Sequence, residues 1–226
     1  MYMKPLLTLL LFLVSYSAFT QSADFKKPDY KAIEKNIKDK RSPYFFNTLF
    51  ERYTRVDTTM TIEEKRHLYY GYSFTDAYSP YATSDTKKEL NNLLNKKELT
   101  KAEKETILRL TAASLKQYPF SIRMKEYRMY FLKDLGFKEE LVKESAQTDI
   151  IVEALLSSGD GRTKESSFYV INISNEYELI NVLGFQFGGE QSLVDFSYDY
   201  LTLADNSYKI KGFYFEISRS MDSLKN

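Results

Sequence analysis

Apolar residues fall on two different periods along this chain. From Asp24 to Leu156 they return every three or four positions, the spacing that lays a stripe along one side of a helix. Tyr30, Ile33 and Ile37, following Pro28-Asp29, predict a short first helix. Ser42 before Pro43 offers a capping hydroxyl and a proline suited to a first turn, so a second helix is expected there, with Phe45, Phe46, Leu49, Phe50 and Tyr53 on one wide face. Thr61 with Glu64, and Thr100 with Glu103, fit the reciprocal capping box, in which hydroxyl and carboxylate each satisfy an orphan backbone N–H. The second box opens a helix to about Gln117, with Ile107, Leu110 and Ser114 beside the row Leu108, Ala112, Leu115. Pro119 stops it, Ser121 caps the next, and Met124, Tyr127, Phe131 and Leu135 line that one until Gly136 ends it. Phe137, Leu141, Ser145, Thr148, Val152 and Leu155 mark a final long helix.

At Ser157-Ser158-Gly159-Asp160-Gly161 the period changes. Phe168 to Ile173, Ser192 to Phe196, Asp199 to Leu203 and Tyr208 to Ile217 are β-branched and aromatic runs separated by turn residues, with a Gly-rich stretch at Phe187-Gly188-Gly189. They predict a small antiparallel sheet, interrupted by a short helix that Ser174 caps and Gly184 closes, with Tyr177, Ile180 and Leu183 on one face. A sheet of this size needs cover, and the last helices are the expected cover. The fold class is therefore α+β: a helical region over 21–158 and a sheet region over 159–226. The stretch from Tyr118-Pro119 through Tyr127 to Leu135-Gly136-Phe137 resembles a tetratricopeptide unit, with a turn glycine between two helices, although no Trp-x-x-Leu-Gly motif occurs. A hairpin array of two or three pairs is expected, and an irregular bundle is the alternative.

The first twenty residues read differently. Lys4 precedes the apolar run Leu6 to Val14, and small and polar residues follow to Thr20. That is the layout of a secretory signal peptide, short for a membrane span, with cleavage expected after Thr20. Removing Lys4 with it leaves 31 charges of each sign from the 32 basic and 31 acidic residues of the 226-residue chain. A neutral surface supplies no field for nucleic acid, and no membrane span is expected in the mature chain. Zero cysteines exclude thiol chemistry, disulfides and Cys-ligated metals, and one histidine cannot build a multi-His site, so no metal or cofactor is expected.

The run Gly159-Asp160-Gly161, the strand Phe168 to Ile173, Asn175-Glu176-Tyr177-Glu178, Leu183-Gly184, Asp199-Tyr200 and Phe213-Tyr214-Phe215 resembles a family of exported bacterial proteins classed as a domain of unknown function. Arg52-Tyr53, Asp57 and Leu68-Tyr69-Tyr70-Gly71 agree with it in the helical part. The resemblance implies export to the periplasm or beyond, and architecture; it implies no chemistry.

Candidate chemistry is sparse. His67 is the sole imidazole, and no strained Ser elbow is present to use it as a base. Glu176, with Asp160 and Asp199 in neighbouring segments, could supply the acid and base of an envelope hydrolase. Glu178 stands about 200 degrees from Glu176 on the expected helix, so the two cannot share one cleft. Glu176 in a first turn is expected to favour the helix dipole from solvent, and Asp160 between glycines to form a turn. The chain has 19 Tyr, and those of segment 68–81 exceed what one helical face needs. Tyrosine gives contact area with a polar tip and little entropy to lose. Tyr69, Tyr70, Tyr72, Tyr78 and Tyr81, with Arg52 and His67 as polar neighbours, are thus the expected surface of a non-enzymatic module binding envelope proteins or glycans.

Overall fold

The computed structural model describes residues 25–80 and 86–222; the expected signal peptide and Tyr81 lie outside the described residues. The helical part consists of α1 (Tyr30–Lys38), α2 (Phe46–Thr54), α3 (Ile62–Tyr72), α4 (Lys87–Leu94), α5 (Lys101–Gln117), α6 (Ile122–Leu135) and α7 (Lys138–Leu156). Then come β1 (Phe168–Tyr169), α8 (Ser174–Val182), β2 (Phe187–Val194), β3 (Tyr198–Leu203), β4 (Gly212–Glu216) and α9 (Ser218–Asp222). The class is α+β, with most helices preceding the sheet. None of the described helices is long and apolar enough to cross a membrane.

Both capping boxes close as their spacing predicts, at Thr61–Glu64 and Thr100–Glu103. Other starts differ. Ser42 Oγ accepts from Tyr44 N at 3.0 Å in a turn, and α2 begins only at Phe46, without a side-chain cap. Ser174 is the first residue of α8 rather than its cap; Asn172 Oδ1 accepts the Ser174 N–H at 2.9 Å instead. α4, with Leu90 as its buried residue, has too narrow an apolar stripe to stand out in the sequence.

α3 is the centre of the helical part. Every residue from Lys65 to Tyr72 is buried, because α1, α2 and α7 pack around it. Gly71 makes the α1 approach possible: a Cβ there would stand 2.7 Å from Ile37 Cγ2. The sheet runs β1-β4-β3-β2. Its β2–β3 and β3–β4 pairs are antiparallel as expected, but β1 is reduced to two residues and pairs parallel to β4, Phe168 opposite Phe215. The chain leaves β1 for α8 and reaches β4 only after β2 and β3, which supplies the long connection that a parallel pair requires. β3 alternates strictly, Asp199, Leu201 and Leu203 being buried. β2, by contrast, is an edge strand exposed along almost its whole length, irregular between Phe187 and Gln191, where Gly189 has φ +102°. α8 contacts α6 on one side and β2 on the other. One contiguous core joins the two halves, from Tyr69, Tyr70 and Leu155 to Leu179, Leu201 and Phe215; a satellite of Leu90, Ile107, Leu110 and Phe131 holds α4 to α6.

Candidate functional site

Tyr69, Tyr70 and Tyr72 are interior, the first two 1% and 0% exposed, and Tyr78 is half-buried. α3 is enclosed on all sides, so consecutive tyrosines on it have nowhere to go but inward. Their hydroxyls serve the fold. Tyr69 donates to Asn175 Oδ1 at 2.8 Å and accepts from Ile171 N at 3.3 Å. Tyr70 points at Ala154 O (3.2 Å), Tyr72 lies 3.0 Å from Ala77 O and 3.1 Å from Gln117 O, and Tyr78 donates to Ile171 O at 2.6 Å. The expected aromatic surface is thus a seam between the two halves of the molecule, and burial pushes Tyr69 far above the usual phenol range. Arg52 is committed to Asp57 (2.7 Å) and to Glu64 of the capping box. His67 stacks on Tyr44, centroids 4.0 Å apart, with Nδ1 2.8 Å from Glu63 O and Nε2 3.1 Å from Asn36 Nδ2. Both ring nitrogens are engaged, which matches a neutral ring donating from Nδ1 and accepting at Nε2, and burial lowers its pKa further. It has no free nitrogen to act as a base.

The carboxyl groups divide. Asp160 Oδ1 accepts from Arg162 N at 3.0 Å and Ser166 Oγ at 2.6 Å, an Asx turn. Glu176, expected at the solvated start of a helix, is 0% exposed. It meets Asp199 of β3 under the sheet: burial, then the Asp199 charge, pushes Glu176 up to about 9, and Asp199 is also raised by burial. Both Glu176 oxygens are buried without a hydrogen-bond partner, and with the Asp199 carboxyl nearby this environment favours the neutral acid. Asp199 Oδ2 also accepts from Gln191 Nε2 at 2.6 Å, and Gln191 Oε1 accepts from Tyr177. Glu178 goes the other way, as the helical angle requires. It sits at the start of α6, accepting from Ser121 Oγ (3.1 Å), Ile122 N (3.1 Å) and Asn175 Nδ2 (2.7 Å), while Tyr118 donates to Asn175 Oδ1 at 2.6 Å. Burial raises Glu178 while these donors and the Arg123 N–H pull it back. Among the described residues no three His, Asp or Glu groups converge as a metal would need.

Above Glu178 opens a cleft of about 660 Å³ between α4, α5 and α6 on one side and the start of α8 on the other. Tyr118, Tyr127 and Tyr177 supply its aromatic lining, Asn91, Gln117 and Asn172 its amides, and Lys87 and Arg123 its cations. Leu90, Met124 and Ile173 are its apolar floor. The volume and the mix of apolar wall with a few convergent polar groups are those of a ligand site. None of Tyr69, Tyr70, Tyr72, Tyr78, Arg52, His67, Glu176, Asp160 or Asp199 lines it. Sequence reading missed it because its residues come from four helices and the loops between elements, with no local motif; Tyr127 and Tyr177 were visible only as members of apolar rows.

The family model described as Domain of unknown function (DUF4919) matches residues 31–226. No curated protein and no solved structure matches the chain.

Proposed function

We propose, for a chain that belongs to the DUF4919 family and takes no assigned activity from it, that the protein is a non-enzymatic binding module of the cell envelope. Its partner, a glycan or a protein segment, enters the cleft between α4–α6 and α8. The carrying observation is that cleft: about 660 Å³, tyrosine-walled, with amide and cationic groups around an apolar floor. Export to the periplasm or the outside is supported by the apolar run Leu6 to Val14 after Lys4. The packing of α5 on α6 and α6 on α7 supports a tetratricopeptide-like description of the helical part, and the contact of α3 with α7 argues for a bundle instead.

The hydrolase alternative has one observation in its favour, the meeting of Glu176 and Asp199. Their exposures of 0% and 6% leave a substrate no approach to either, and neither lines the cleft. Binding is therefore the reading that the geometry carries. The test is one preparation: the tagged full chain is recovered from the periplasm, its amino terminus is read by mass spectrometry, and it is screened on an array of envelope glycans and peptides beside a Tyr127→Ala/Tyr177→Ala variant. A terminus near Gln21 and array signals lost in the variant are expected. Signals that the variant retains would overturn the cleft as the site, and a chain confined to the cytoplasmic fraction with Met1 intact would overturn export.

A further inference from the structure

Resting on the cleft reading above, we propose that its ligand is an acidic saccharide, a sugar chain whose carboxylate is held by Arg123 and Lys87 while its rings lie along Tyr127 and Tyr177. Arg123 is the first reason. Among the described residues, the guanidinium groups of Arg123 and Arg162 alone make no hydrogen bond or ion pair with a side chain or backbone group. Arg162 is exposed on a turn, whereas Arg123 is half-buried and lines the cleft. A guanidinium at the wall of a cleft with no protein partner has its donors available to an anion, and its planar fork fits a carboxylate bidentately. Glu126, one turn along α6, is raised by burial and drawn back by the Arg123 charge, with no ion pair between the two.

Charge balance within the cleft points the same way. Lys87 and Arg123 are its cations and Glu178 its carboxylate. The Glu178 oxygens are already taken by Ser121, Ile122 N and Asn175, which also fill the positive end of α6. A ligand anion therefore meets Arg123 rather than the helix terminus.

The class of chain follows from what the walls can bond. The cleft is lined by helices and by the loops at Ser79-Pro80 and Asn172-Ile173, and by no strand, so no strand edge is available to a peptide main chain and recognition falls mainly to side chains. Those side chains are amides and phenols: the Asn91 and Gln117 amides have no partner among the described residues, and each offers both a donor and an acceptor. Neighbouring sugar hydroxyls need that pairing, and tyrosine rings provide the amphipathic surface beside it.

The experiment is calorimetric titration of the mature chain with three probes, tetragalacturonate, cellotetraose and a pentaglutamate peptide, at low and high salt. Tetragalacturonate should bind best and weaken with salt; Arg123→Ala should lower its affinity at least about tenfold. Arg123→Lys should recover part of the loss, and Arg162→Ala should leave affinity unchanged, with far-ultraviolet circular dichroism and melting temperature verifying that each variant is folded. Equal binding of cellotetraose, indifferent to Arg123→Ala but lost in Tyr127→Ala/Tyr177→Ala, would overturn the anion assignment and leave the cleft reading standing. Stronger binding of pentaglutamate would overturn the saccharide class. Binding of no probe would overturn the acidic-saccharide assignment, and binding that survives the double tyrosine variant would overturn the proposal and the cleft reading together.

Discussion

The buried Glu176 carboxyl has a measurable signature. Its folded value of about 9 stands above its ordinary 4.5, so the folded chain keeps a proton that the unfolded chain releases. The sign follows from linkage: its stabilisation is fully present below about pH 4.5 and is lost progressively as pH climbs towards about 9. Glu176→Gln keeps a donor facing Asp199 but has no proton to lose. Thermal melts of the two proteins should therefore diverge, the wild type losing more melting temperature between about pH 5 and pH 8 than the variant. Parallel curves would show that the pair does not hold its proton as described. Asp199, Glu178 and Glu216 are raised by burial too, so the difference between variants, not the absolute slope, isolates Glu176. The helical angle between Glu176 and Glu178 was legible in the sequence and holds; their environment was not. A first-turn carboxylate implies solvent only if one side of the helix faces water, and α8, between α6 and the sheet, buries Asn175, Glu176, Glu178, Leu179 and Ile180. His67 and Arg52 were equally visible as residue types, while their partners Asn36, Tyr44, Asp57 and Glu64 depend on how α1, α2 and α3 pack.

At the scale of elements, the segment between α7 and β1 is the tightest joint. Asp160 N and Gly161 N both donate to Ser166 O, at 3.0 and 2.8 Å, and Gly161 O accepts from Tyr214 N at 2.8 Å, tying the loop to β4. Gly159 passes so close beneath that a Cβ would stand 2.1 Å from Ser166 O and 2.4 Å from Ser167 O. These are backbone atoms already fixed by their own bonds, and they cannot swing aside as a flexible side chain could. Gly159→Ala should cost about 3 kcal/mol in urea unfolding; a loss under about 0.5 kcal/mol would mean that the loop relaxes freely. The glycine cluster was readable as a turn, but the reason for it was not, because Ser166 and Ser167 carry no signal of their own. Elements closed by local chemistry, such as the two capping boxes and the Gly136 stop, were read at the right residue. Ser42 misled since its hydroxyl closes a turn two residues on, and the parallel β1–β4 pair depends on where α8 sends the chain.

For the whole molecule, the tyrosine seam couples the helical part to the sheet part. Tyr69 reaches Asn175 and Ile171, and Tyr78 reaches Ile171, so the halves share buried hydrogen bonds as well as one core. Helix and sheet should consequently unfold in one transition, with the far-ultraviolet helix signal and the near-ultraviolet tyrosine signal sharing a midpoint. Tyr69→Phe leaves the buried Ile171 N–H without its acceptor and should lower stability by about 1–3 kcal/mol, moving that common midpoint down without splitting it; two separated transitions would show independent halves. The tyrosine excess in 68–81 was a true signal of something unusual, but composition cannot tell an inward seam from an outward surface. The free strand β2 bears on life at high concentration. A long bare edge is an invitation for a second copy to extend the sheet. Here the irregularity at Gly188-Gly189, with Gly189 in the left-handed region, breaks the row of backbone donors and acceptors near its start. A newcomer could zip only along the short run Gln191 to Val194, and the sheet is in this way guarded against polymerisation by its own flaw.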